Sequence, residues 1–78
     1  MPNSSQEEAN RRSGAAIKEL RVKLGKSQEF YSLEANFDQS TLSKVERYGP
    51  QEVSWKKLFA LAEAMGAVVE VNFRPIEK

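Results

Sequence analysis

At 78 residues the chain is long enough for one domain with a thin core, and it contains neither cysteine nor histidine. That excludes a disulfide staple and removes the usual metal ligands and the usual neutral-pH base, so no metal, no cofactor and no catalytic residue is expected, and the chain is read as no enzyme. Charged residues at 29% and apolar ones at 40% make an ordinary soluble balance with a net charge of +1, and no apolar run approaches membrane-spanning length. The opening "MPNSSQEEANRRSG" has no apolar segment and does not resemble a signal peptide, so the expected compartment is the cytoplasm.

Residues 1–12 are polar and read either as a loose arm or as the beginning of a helix. Ser5 followed by Glu8 has the spacing of a capping box, so a helical turn can start near residue 6. From Ser13 onward, Ala16, Ile17, Leu20 and Leu24 fall on one stripe of a 3.6-residue period, and Gly25 offers the left-handed stop, which predicts the first core helix. Between Arg11 and Lys26 six basic residues, Lys18 and Arg21 among them, meet one acid, Glu19; a solvated helix face explains this as well as an anion partner does. Ser27 caps a second helix over about 28–35, and Asn36, tolerant of positive φ, turns the chain without glycine. Asp38 caps a third helix over about 39–47 that buries Leu42 and Val45.

"YGPQEV" is turn chemistry, and Ser54 caps a fourth helix whose Trp55, Leu58, Phe59, Ala62 and Met65 read as one buried apolar stripe ending at Gly66. In "AVVEVNF" the pattern switches to β-branched alternation, with Val69, Val71 and Phe73 on one side, which predicts a strand. One strand cannot satisfy its own backbone groups. Its economical partner is its own copy across a two-fold axis, so these three residues are the expected dimer interface.

Two short helices joined by a tight turn, the second with small polar residues on its free face, form a helix-turn-helix that fits the major groove of DNA. "SQEFYSLEANFDQSTLSKVER" resembles the XRE-type (Cro/repressor-like) helix-turn-helix, and the likeness extends from near Ile17 through "SWKKLFALAEAMG", about fifty residues. The sequence departs from the family at Ser32 and Asn36, where alanine and glycine are common, and at Phe30 and Leu33, where charge is usual. The resemblance implies a mainly α, lambda-repressor-like domain of four or five helices over residues 13–66, followed by a dimerising strand and tail over 67–78. Matched to the family pattern, Gln39, Ser40, Thr41 and Lys44 are the expected base contacts: Gln39 suits adenine, Lys44 suits guanine, and the hydroxyls suit several base edges. Ser27, Gln28, Ser43, Arg47 and Lys56 are the expected phosphate contacts, with Gln28 as the main clamp. Ile17, Leu20, Tyr31, Ala35, Phe37, Leu42, Val45, Leu58 and Leu61 are core, and Glu46 occupies a family position read as structural.

A helix-turn-helix followed by a short dimerising strand also looks like the antitoxins of HipB and HigA type, which repress their own operons and neutralise a toxin. The expected partners are a palindromic operator in double-stranded DNA, a second copy of the chain, and a cognate toxin, in a nucleoid-associated protein with no membrane role. The alternatives are a phage or restriction-control regulator without a toxin, and a protein-interaction module on the same fold. Phe30 and Leu33 form either a patch for a protein partner or a seat for the N-terminal segment, folded back as a helix; the internal cover is the favoured expectation.

Overall fold

A computed structural model describes residues 4–70 of the chain. Four helices, α1 (Ser4–Leu24), α2 (Gln28–Glu34), α3 (Gln39–Tyr48) and α4 (Trp55–Ala64), follow one another, with a single 3₁₀ turn at Pro50–Glu52 between the last two. Three of them end in the same way. After α2, the Asn36 N–H donates to the Leu33 carbonyl (3.2 Å) and the Phe37 N–H to the Ser32 carbonyl (2.9 Å), with Asn36 at φ 61°. This is the Schellman arrangement, which satisfies carbonyls the helix end would leave open, and it recurs after α1 at Gly25 and after α4 at Gly66. The chain therefore reverses at Asn36 and starts the next helix at Gln39 with the Ser32 and Leu33 carbonyls satisfied.

The helix starts follow the sequence with one correction. Ser27 Oγ accepts the Phe30 N–H at 3.0 Å and Ser54 Oγ accepts the Lys57 N–H at 3.3 Å, both as N-caps. Asp38 occupies the N-cap position of α3 with extended backbone, but its side chain makes no capping bond; its backbone carbonyl takes the Thr41 and Leu42 N–H groups instead.

Tyr31 of α2 with Ala35 capping it, Leu42 and Val45 of α3, and Leu58 and Leu61 of α4 with Met65 capping it form the buried core, with Ile17, Leu20, Phe37 and Val53 packed at its margin. Each fully buried aliphatic side chain contributes about 1.5–3 kcal/mol relative to exposure. α1 crosses the back of α3 in close contact: a Cβ at Gly14 would collide with the backbone oxygens of Val45 and Glu46. Farther up α1, Asn10 lies against the buried Gly49, whose φ of 125° turns the chain out of α3.

Several expectations are corrected here. Of the two readings of the N-terminal segment the helical one is present: it forms one continuous helix of 21 residues, Ser4–Leu24, with the first core helix. It runs straight past the core, so the fold-back cover does not form, and Phe30 and Leu33 stay 40% and 74% exposed. Glu8 pairs with Arg12 one turn on at 2.9 Å, on the solvent side, where a helix surface favours such spacing. Trp55 and Phe59 are not core either: they stack on each other at 5.8 Å between ring centroids and are more than half exposed. At 3.6 residues per turn they sit roughly a quarter-turn from the Leu58, Leu61 and Met65 line, and no described element covers that side. Of the expected strand, the structure describes only residues 67–70, which have no regular secondary structure and no strand neighbour among the described residues. Val69 is half-buried along the groove between α1 and α4, beside Ile17, Leu20 and Met65, while Val71 and Phe73 lie outside the described residues.

Candidate nucleic-acid interface

Helix α3 has two opposite faces. Leu42 and Val45 are enclosed, and the far side presents Gln39, Ser40, Lys44 and Arg47 to solvent, with Ser43 half-buried on the same side. Spacing of three and four residues places Gln39, Ser43 and Arg47 on one ridge and Ser40 and Lys44 on the next. Thr41, also half-buried, sits at the edge of this face nearer the core. A polar helix face of this width, one turn of chain after α2, has the shape that enters a major groove.

Beneath the ridge lies a buried carboxylate. Glu46, whose side chain is 3% exposed, accepts hydrogen bonds from Arg21 Nε (2.6 Å) and Nη2 (3.2 Å) of α1, and from Gln28 Nε2 (2.9 Å) of α2. Arg21 Nη1 also donates to the Lys26 carbonyl at 2.9 Å, in the link between α1 and α2. A buried charge persists only when paired and hydrogen-bonded, and here both carboxylate oxygens have partners. One side chain thus ties the orientation of α3 to α1 and to the start of α2. The expectation that Glu46 is structural stands on these contacts.

Of the residues expected at DNA, the structure gathers Gln28, Ser43 and Arg47 around one small polar cleft, together with Lys18 and Glu46. The Arg47 guanidinium lies over the Tyr48 ring at 5.8 Å from its centroid, at the same helix end. Gln28 is held by Glu46 rather than free, although its amide retains a second hydrogen. Ser27 spends its hydroxyl as an acceptor in the α2 cap. Lys56 is exposed on α4 and does not line the cleft. Lys18 at the cleft and Arg21 on Glu46 carry no signal of their own in the sequence beyond membership of a basic helix face. The signal that could have found them is Gly14, since an isolated glycine inside a helix marks a close approach, here of α1 onto α3.

Two helices set by a Schellman turn, with the second offering a polar face and a cation-lined edge, define a DNA-binding helix-turn-helix domain. The sequence matches the helix-turn-helix family over residues 17–68, two thirds of the chain, and the protein belongs to that family, in its XRE type. No curated protein and no solved structure matches it. Among the described residues no helix is long and apolar enough to cross a membrane.

Proposed function

We propose that the protein is a homodimeric, sequence-specific DNA-binding repressor that autoregulates its operon as the antitoxin of a toxin–antitoxin pair. The observation that carries DNA reading is the α3 face: Gln39, Ser40 and Lys44 stand exposed opposite the buried Leu42 and Val45, with Thr41 at the margin. Gln39 has the amide that pairs bidentately with adenine, Lys44 donates to guanine, and Ser40 and Thr41 supply hydroxyls. Gln28, Ser43 and Arg47, with Ser27 beside them and Lys56 more remote, fix register on the phosphates. The dimer pairs the segments containing Val69, Val71 and Phe73 across a two-fold axis, which places two recognition helices about one helical turn of DNA apart, roughly 34 Å. The antitoxin role is supported by Phe30 and Leu33, an apolar pair on α2 that stays exposed among the described residues and suits a protein partner.

Competition binding on single-base variants of the DNA upstream of the gene tests the reading. Gln39→Ala should relax specificity at one base step and weaken the preferred site by about 1–3 kcal/mol, whereas Arg47→Ala should weaken all sequences alike. Equal losses on every variant for Gln39→Ala would remove that residue from base recognition. The partner role is tested separately, by mixing the purified product of the adjacent gene with wild-type protein and with Phe30→Glu; undiminished binding by the variant would place any toxin contact elsewhere.

A further inference from the structure

The cleft where α1, α2 and α3 meet has a composition that the recognition face alone does not require. Lys18 from α1 and Arg47 from α3 converge on it with the Ser43 hydroxyl and the Gln28 amide, and the Glu46 carboxylate forms its inner wall. That carboxylate would repel an anion if it stood alone, but Arg21 grips it through two hydrogen bonds. Among the described residues neither Lys18 nor Arg47 has an ion-pair partner. Three cations against one carboxylate leave the cleft with a local excess of two positive charges.

The donors are also directed. Glu46 takes one amide hydrogen of Gln28 and leaves the other, so the amide is fixed at the cleft rather than rotating freely. Ser43 and Arg47 share a ridge with Gln39, so an anion seated here lies at the edge of the helix that reads bases. We propose that the cleft seats one phosphodiester of the DNA backbone, with Lys18 as a phosphate-binding residue contributed by α1. Lys18 and Arg47 supply the charge, Ser43 and the second Gln28 N–H supply the directed bonds, and Arg21 with Glu46 holds α1 at the distance that lets Lys18 reach. Lys18 thus extends the binding surface from two helices to three, and the inference rests on the DNA-binding reading above.

The test is a salt titration of binding to a random duplex of about 20 base pairs, between about 50 and 200 mM potassium chloride, for wild type, Lys18→Gln and Lys18→Arg. Losing one phosphate contact lowers the slope of log affinity against log salt by about one, so a fourfold rise in salt should weaken Lys18→Gln about 3.5-fold less than wild type. The loss should be the same on every sequence, Lys18→Arg should keep the wild-type slope, and both variants should melt with wild type because Lys18 is exposed. An unchanged slope and affinity for Lys18→Gln, with wild type binding normally, overturns the seat and leaves the DNA-binding reading intact. Failure of wild type to bind any duplex overturns both. A melting point that inorganic phosphate raises in wild type but not in Lys18→Gln, with no change in the DNA slope, would assign the cleft to a free anion and likewise overturn the proposal.

Discussion

Replacing Glu46 by alanine removes the acceptor for three donors at once and leaves the Arg21 side chain, only 14% exposed, without a counter-charge. Breaking a buried ion pair from one side costs about 3–5 kcal/mol, and the partial exposure of Arg21 lets some water reach it, which sets the expectation at the low end, about 3 kcal/mol. A domain of this length is stable by roughly 4–12 kcal/mol in total, so the variant should lose a large share of that margin. In thermal unfolding followed by circular dichroism this corresponds to a melting point lower by about 12–24 °C. Urea titration gives the free energy directly, and a loss below about 1 kcal/mol would refute the reasoning, since the pair would then be no more than a surface contact. The companion variant Arg21→Met/Glu46→Leu sharpens the test. With both charges gone and the volume kept, stability should return to within about 1–2 kcal/mol of wild type, because a buried pair replaced by apolar groups is often near neutral. Its DNA affinity should stay low all the same, as Gln28 no longer has the carboxylate that fixes it.

Gly14→Ala should lower the melting point, by about 4–8 °C for each kcal/mol lost, because the new methyl meets backbone oxygens of α3 that cannot rotate away. The same change on an open helix face would instead gain about 1 kcal/mol, so the sign alone, read by thermal unfolding, decides the matter. Leu33→Glu should leave stability within about 0.5 kcal/mol of wild type by urea titration, since that side chain is 74% exposed. Truncation after Gly66 should give a monomer that binds DNA weakly; sedimentation showing a stable dimer with full affinity would put the two-fold interface outside the last twelve residues.

Local chemistry was the legible part of this sequence. Ser27, Ser54, Asn36 and Gly66 act within one turn of themselves, through caps and Schellman bonds, and their roles follow from residue type and neighbours. The polar face of α3 was legible for the same reason, because period fixes which residues share a side. What failed depended on whether another element lies opposite. Trp55 and Phe59 have the chemistry of core residues, but burial needs a facing surface, and sequence periodicity says nothing about its presence. The fold-back of residues 1–12 failed on a related point: a helix that continues unbroken through Ser13 has no hinge at which to reverse. The Arg21 and Glu46 pair, 25 residues apart, needed the crossing of α1 over α3, and only Gly14 hinted at it.

The carboxylate that joins three helices also bears on how the protein breathes. Amide protons of α2, α3 and the middle of α1 are held by one shared set of contacts, so they should exchange with solvent only through a common opening, in which all three segments come apart together. The beginning of α1 is different: residues 5–9 are exposed, whereas Asn10, half-buried, lies against Gly49. Exchange there should run orders of magnitude faster and follow the end of the helix rather than the fate of the domain. The molecule would then hold, within a single continuous helix, a boundary between a segment that opens alone and a segment that opens only with the DNA-reading unit.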